Sequence, residues 1–344
     1  MKLYTIQYLR AIASIAVVYS HAVIQVDAYE HLLTEAGSFG VDIFFVISGF
    51  IMVYIAKPND TPKRFFINRV RRVVPLYWFF TLLMAAILLL MPEIFKNSAF
   101  SWSAFLKSLL FIPDYSIADP NMVWPILAPG WSLNYEMYFY LLFALSLFLP
   151  AQWRIAAITL CITAVFFLAT AATQASAAQL FYADTIVFEF VFGMLLALAF
   201  KRGFKLPQLV AVGLFVAGFA VLLWNVDAPR IVAFGLPALA IVTATLFINL
   251  PANRFGLLLG DSSYALYLVH IFTLGVLRKI LPPFLGDGMQ AAVLFTIIAT
   301  VICIISGIVV HYLVDNWLLT EARARQIGNL WRGRNNNRNS ATAS

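Results

Sequence analysis

Long apolar runs separated by short polar segments recur along the whole chain. A helix that crosses a membrane needs about 20 predominantly apolar residues, and ten segments approach that length. They cover residues 6–25, 39–56, 73–91, 131–149, 154–173, 181–200, 207–224, 230–249, 257–277 and 290–313. The pattern therefore predicts an all-α, polytopic membrane protein with about ten transmembrane helices.

The composition agrees with this pattern. Of the 344 residues, 62% are hydrophobic and only 11% are charged, whereas a soluble domain carries about 25% charged residues. The apolar runs continue from end to end, so a soluble domain behind a signal peptide is excluded. Cys161 and Cys303 fall within apolar runs, where buried thiols are expected.

The distribution of basic residues predicts the orientation. If both termini are cytoplasmic, most of the 23 lysines and arginines lie on the inner side, as the positive-inside rule requires. This distribution explains the net charge of +7 without a nucleic-acid partner. The long connection 92–130 is then external, with a short interfacial helix expected within 103–111. Residues 1–320 form the predicted transmembrane domain, and residues 321–344 form a basic, disordered cytoplasmic tail.

The first predicted helix carries two ionisable residues, Arg10 and His21. Eleven residues separate them, which brings both to within about 20° of one helix face and about 16 Å apart along the axis. Ionisable side chains inside a membrane usually face a bundle interior or a wet cavity. The alternative is that each anchors one end of the helix at an interface.

Three carboxylates are predicted at a depth close to that of His21: Asp42, Glu136 and Asp184. Buried carboxylates need partners, so we expect these groups to converge around His21. In that arrangement Asp42 fixes the tautomer of His21 and leaves the other ring nitrogen as a general base. For Glu136 and Asp184, a structural polar cluster between helices is the alternative. His270 is assigned a packing role.

A basic segment, with arginines at positions 64, 69, 71 and 72, precedes the third predicted span. Such clusters usually serve only as orientation signals. Here the cluster is also predicted at the depth of Arg10, and guanidinium groups bind phosphates well. An anionic donor that arrives from the cytoplasm would meet this patch first.

Several segments together resemble the acyltransferase 3 family of membrane proteins, over about residues 4–318. Arg10 and His21 match its Arg-x10-His signature, and Arg69 and Arg72 match its Arg-x-x-Arg pair. In family order the segments read YLRAIASIAVVYSHA, GVDIFFVISGF, NRVRRVVPLYW, WSLNYEMYFYLL, FEFVFGMLLA and LGDSSYALYLVH. Within the family, the sequence looks most like bacterial exopolysaccharide O-acetyltransferases.

The resemblance implies an acyl-CoA donor, most simply acetyl-CoA, on the cytoplasmic side of a bacterial inner membrane, and no metal. The implied acceptor is a hydroxyl of a cell-surface or lipid-linked polysaccharide, with polysaccharide-assembly machinery as a further partner. One departure stands out. Many relatives read Ser-x-Glu-Glu where this chain reads Asn134-Tyr135-Glu136-Met137, so a role that needs a second acid is in doubt.

The resulting hypothesis has Arg10, Arg69 and Arg72 binding the CoA phosphates. The catalytic residues are His21, Asp42 and Glu136, and an acyl-imidazole on His21 is a variant of the mechanism. One rival is a transporter or flippase of acyl groups or lipid-linked glycans. It is disfavoured because no repeat or broken span is found in the sequence. A second rival is a non-catalytic assembly subunit, which would not need Arg10 and His21 in register.

Overall fold

The computed structural model describes residues 4–26, 37–57, 59–91, 100–172, 176–224 and 226–314. Within these ranges the chain is helical and contains no strand, as predicted for an integral membrane protein. The helices are α1 Tyr4–Val23, α2 Gly40–Ile55, α3 Pro62–Leu90, α4 Trp102–Leu109, α5 Trp131–Ser146, α6 Ala151–Thr170, α7 Ala177–Tyr182, α8 Phe188–Lys201, α9 Gln208–Trp224, α10 Leu236–Thr245, α11 Arg254–Asp261, α12 Ser263–Ile280, α13 Pro282–Leu285 and α14 Met289–Val314.

A helix occupies each predicted span, although several are short. Four helices, α1, α3, α6 and α14, are long and apolar enough to cross a membrane by themselves, and α11 with α12 makes a fifth candidate. Ten crossings and cytoplasmic termini therefore stay predictions. The short helix predicted within 103–111 is present as α4, and its interfacial position stays a prediction. The predicted tail lies outside the described residues.

Helix α3 begins at Pro62, well before the predicted start at residue 73. Thr61 caps it by accepting the Arg64 backbone N–H at 3.3 Å, and proline is favourable in the first turn. Lysine and arginine are good helix formers, so the basic segment continues the helix instead of preceding it. Arg69 and Arg72 therefore lie on α3 itself.

Two predicted spans are interrupted. Helices α11 and α12 meet at a 65° bend next to Ser262, so the expectation of an unbroken helix over 257–277 is wrong. Asp184 interrupts the span predicted for 181–200, because its carboxylate accepts the Ile186 backbone N–H at 2.9 Å and so caps a short turn instead of continuing a helix.

The core lies where α2, α5 and α8 meet. The rings of Phe45 and Phe139 stack on Phe190 with centroid distances of 4.5 and 4.4 Å. Helix α2 contacts α8 closely because glycines stand at the crossing. A Cβ atom on Gly49 would lie 2.1 Å from the Phe190 carbonyl oxygen, and one on Gly193 would lie 2.1 Å from the Val46 carbonyl oxygen.

Large apolar side chains also cover the outside of the bundle. Leu209, Trp224 and Leu90 are more than four-fifths exposed, at 84%, 82% and 81%. Water would disfavour so much apolar surface, whereas lipid chains would cover it. The polar groups that need partners are instead drawn inward, to the site described next.

Candidate functional site

A cavity of about 570 Å³ lies between α1, α2, α3, α5, α11 and α12. The charged residues in its wall are Arg10, Arg69, Arg72, Glu136 and Asp261. The fold thus brings together four of the predicted site residues from three helices. His21 and Asp42 are not part of this wall.

The arginines of the cavity lack acidic partners. Among the described residues no carboxylate lies within 4.0 Å of Arg10, Arg69 or Arg72. Arg10 donates from Nη1 to the Gln7 side-chain oxygen at 3.0 Å. The Nε and Nη1 atoms of Arg69 are buried without a partner in the described structure. A buried guanidinium group without a counter-ion is costly, so this end of the cavity is suited to an anion.

Glu136 lies farther along the same wall, on α5. Its Oε1 atom accepts hydrogen bonds from the Tyr140 hydroxyl and from the Ser48 hydroxyl, the latter at 3.3 Å. Its Oε2 atom has no partner among the described residues. Two hydroxyls thus fix the carboxylate from one side and leave the second oxygen facing the cavity.

Tyr267 of α12 also lines the cavity. The Tyr267 hydroxyl donates to the Pro129 carbonyl at 2.8 Å and lies 2.7 Å from the Ser132 hydroxyl. Its ring makes an edge contact with Phe44 at a centroid distance of 6.4 Å. The polar positions along α5 therefore run from Tyr140, beside Arg69, through Glu136 to Ser132.

His21 lies outside the cavity wall, next to His270. The two ring centroids are 4.9 Å apart with an interplanar angle of 61°, and the His270 ring is 6.0 Å from that of Tyr267. His21 Nδ1 lies 2.9 Å from the Val17 carbonyl, and His270 Nδ1 lies 3.2 Å from the Leu266 carbonyl. A carbonyl oxygen can only accept, so each Nδ1 carries the proton and each Nε2 carries a lone pair that can accept one.

Sequence reasoning gave His270 only a packing role. The residue is fully buried, yet its Nε2 has no partner among the described residues. The signal that could have identified it is its own position, because an ionisable residue inside a membrane is a functional candidate by default. Its predicted depth in the membrane did not show that it contacts His21, because that contact depends on how α1 packs against α12.

The predicted pairing of Asp42 with His21 is wrong. Asp42 is fully buried and its Oδ2 lies 2.9 Å from Nη2 of Arg230, a residue that sequence reasoning missed. On α2, Asp42 is about 120° around the axis from Ser48, which faces the cavity, so similar depth did not bring it to the same site. The Val17 carbonyl instead fixes the tautomer of His21.

The predicted convergence of carboxylates on His21 is also wrong. Glu189 is close enough to act electrostatically on Asp42 and Arg230, and Asp184 is close enough to act on Glu189 and Arg230. Both carboxylate oxygens of Glu189 are buried without a hydrogen-bond partner among the described residues. We call this group the acid cluster: Asp42, Asp184, Glu189 and Arg230. Sequence reasoning overlooked Glu189, which is fully buried next to Asp42.

The chain is similar to known proteins over most of its length. A family described as an acyltransferase domain, acyltransferase 3, matches residues 3–312. The exopolysaccharide production protein ExoZ of Rhizobium meliloti is 33% identical over 85% of this chain and 92% of its own. The acyltransferase MdmB of Streptomyces mycarofaciens is 27% identical over 83% of this chain and 81% of its own.

A more distant similarity is partial. The peptidoglycan O-acetyltransferase OatA of Listeria monocytogenes is 29% identical over 43% of this chain and 25% of its own length. No solved structure matches the chain.

Proposed function

The chain belongs to the acyltransferase 3 family, and from this premise we propose that it transfers an acyl group from acyl-CoA to a hydroxyl of an exopolysaccharide or of its lipid-linked precursor. The donor is acetyl-CoA in the simplest case, and it enters from the cytoplasm across the bacterial inner membrane. The names of two relatives support the acceptor class, since one acts in exopolysaccharide production and the other acetylates peptidoglycan.

The observation that carries the proposal is the set of three arginines in a largely apolar cavity that have no carboxylate partner among the described residues. Arg10, Arg69 and Arg72 line one end, and the buried Nε and Nη1 of Arg69 have no partner among the described residues. CoA carries several phosphates on one end of a long, neutral arm. Guanidinium groups bind phosphates through charge-assisted hydrogen bonds, and the apolar remainder of the cavity suits the arm.

The dimensions are compatible with this assignment. Ser132 and Tyr140 are eight residues apart on α5, about 12 Å along the helix axis. A pantetheine arm extends roughly 15–20 Å, about five residue-equivalents of extended chain. An arm whose phosphates bind near Arg69 would thus pass Tyr267, beyond which lie His270 and His21.

In the proposed reaction His21 is the general base, and its free Nε2 takes the proton from the acceptor hydroxyl. The hydroxyl oxygen forms a bond with the acyl carbon while the carbon–sulfur bond of the thioester breaks. The departing thiolate then receives the proton from His21 and leaves as CoA thiol. In the variant with an acyl-imidazole, Nε2 itself attacks the thioester before the hydroxyl does. The predicted catalytic role of Glu136 stays a prediction.

The test is a transfer assay with the purified protein in liposomes. Radiolabelled acetyl-CoA is added together with lipid-linked oligosaccharides, and label is expected in the oligosaccharide. The variant His21→Gln is the matched control, because it keeps polarity and approximate size but cannot take the proton. Acetyl-CoA that is bound and never yields acylated glycan would overturn the proposal.

A transporter or flippase is the second candidate, and the bend between α11 and α12 is the observation that favours it. Broken helices are common at the binding sites of transporters. The same liposomes distinguish the two functions. A transporter moves labelled substrate across the bilayer without forming a new ester, whereas the enzyme forms the ester.

A further inference from the structure

The cavity wall contains two carboxylates, of which Asp261 is exposed and accepts from Gln7 Nε2 at 3.0 Å, whereas Glu136 is partly buried on α5. Glu136 Oε1 already accepts from the hydroxyls of Tyr140 and Ser48. Oε2 is left facing the cavity, next to apolar neighbours such as Phe45 and Leu133. A carboxylate held in this way is prepared to accept one further hydrogen bond from a ligand.

The surrounding charges restrict which ligand group can bind there. Arg10 and Arg69 act electrostatically on the Glu136 carboxylate, although neither forms an ion pair with it. These arginines disfavour a second cation at Oε2, and the carboxylate itself repels a phosphate. A neutral N–H or O–H donor avoids both penalties and forms a charge-assisted hydrogen bond.

The position of Glu136 along the cavity narrows the choice further. It is one helical turn, about 6 Å, from Tyr140, the level at which Arg69 lies, and one turn from Ser132 near the Tyr267 end. In an extended pantetheine arm the first amide N–H is about 7 Å from the diphosphate, which corresponds to two residue-equivalents. The distance of about 6 Å along α5 from Tyr140 to Glu136 is close to the distance of about 7 Å from the diphosphate to the first amide N–H.

We propose that Glu136 Oε2 is the binding site for an amide N–H of the pantetheine arm, which makes Glu136 a recognition residue for the donor. The inference rests on the proposed function, because it takes acyl-CoA as the ligand of the cavity. It explains why Glu136 is placed in a cavity otherwise suited to an anion: its carboxylate selects donors that carry an N–H at this distance from their phosphates.

The test measures affinities of two ligands for the purified protein in nanodiscs. CoA carries the arm, and adenosine 3′,5′-bisphosphate carries phosphates without the arm. In Glu136→Gln the amide N–H₂ can take the place of Oε2, so an acceptor becomes a donor. We expect about tenfold weaker binding of CoA. The bisphosphate should bind as well as before or more tightly, because a repulsive charge has been removed.

Weaker binding of CoA together with unchanged or tighter binding of the bisphosphate would distinguish a contact with the arm from a general effect of the charge. Unchanged or tighter CoA binding by Glu136→Gln would overturn the inference, and so would an equal loss of affinity for both ligands. Arg69→Ala is the comparison variant and should weaken the binding of both ligands. If the wild-type protein binds neither ligand, the proposed function fails and this inference fails with it.

A modified ligand tests the same contact in the wild-type protein, so the result does not depend on whether a variant folds. A CoA analogue that is N-methylated at both arm amides has lost its N–H donors but keeps every phosphate. It should bind the wild-type protein about tenfold more weakly than CoA. Binding as tight as that of CoA would overturn the inference.

Discussion

The cavity and the acid cluster both hold charged side chains between helices, but they differ in burial and in pairing. Asp42 and Glu189 are fully buried, whereas Arg10 and Arg69 are partly buried and Arg72 is exposed. In the acid cluster the Arg230 guanidinium group is 2.9 Å from the Asp42 carboxylate, and Glu189 adjoins the pair. In the cavity no carboxylate among the described residues comes within 4.0 Å of Arg10, Arg69 or Arg72. The acid cluster thus contains an ion pair, although Asp42 Oδ1, Arg230 Nε and both carboxylate oxygens of Glu189 have no hydrogen-bond partner among the described residues. The arginines of the cavity have no carboxylate partner at all within that part of the chain.

The ion pair favours a structural role for the acid cluster, and the missing counter-ion favours a binding role for the cavity. A buried ion pair adds little net stability, but removal of one partner leaves a costly charge behind. An unpaired guanidinium group in a cavity carries that cost until an anion binds. The acid cluster should therefore respond to mutation through stability, and the cavity should respond through affinity for the donor.

The largest expected effect is on turnover, at His21. His21→Gln should lower acyl transfer by about 10²–10⁴-fold, because glutamine cannot take the proton from the acceptor hydroxyl. CoA affinity should stay unchanged, since His21 is not part of the cavity wall. Steady-state transfer and equilibrium binding measure the two quantities. His311→Gln, on α14 outside the cavity wall, is the control, and a His21→Gln variant with most of its turnover would contradict the catalytic role.

The next effect is on stability, at Arg230. Arg230→Met leaves Asp42 without its counter-ion and should reduce the free energy of unfolding by about 3–5 kcal/mol. Thermal unfolding in detergent measures the loss, and adding Asp42→Asn should restore part of it. The folded protein should bind CoA normally. A loss of CoA affinity without a loss of stability would show that the acid cluster is part of the ligand site.

A smaller effect is expected on donor binding, at Arg69 and Arg72. In the proposed site each of these arginines donates a charge-assisted hydrogen bond to a phosphate, worth about 1.5–3 kcal/mol, so Arg69→Ala or Arg72→Ala should lower CoA affinity tenfold or more. Arg64→Ala, on the same helix but exposed and outside the cavity wall, is the matched control. If both variants keep the affinity of the wild type, these arginines serve only as orientation signals.

The last prediction involves no loss of activity and concerns the side of the membrane that the cavity faces. A reporter fused after Ser344 should read cytoplasmic, and one inserted near Asn121 should read external. Both fusions should keep acyl transfer. Reports from the same side would refute the ten-helix arrangement and, with it, the cytoplasmic entry of the donor.

Much of the fold followed from local features of the sequence. Apolar runs long enough to exclude water specify helices wherever they occur, and a helix is present at each predicted span. The continuous helix α1 places Arg10 and His21 in the predicted register because helix geometry depends only on sequence separation. Helix ends were less predictable, since Asp184 and Thr61 act through hydrogen bonds to nearby backbone groups.

The sequence by itself determined the membrane-embedded helical class, the family and the ionisable residues that lie within the predicted helices. Only the tertiary structure decided which of those charges meet. Depth along a helix can be read from position, but a contact also depends on the rotation of each helix and on which neighbours it packs against. For this reason Asp42 was assigned to His21, whereas the packing of α2 against α8 directs it to Arg230 and Glu189. The contact of His21 with His270 likewise arises from the packing of α1 against α12.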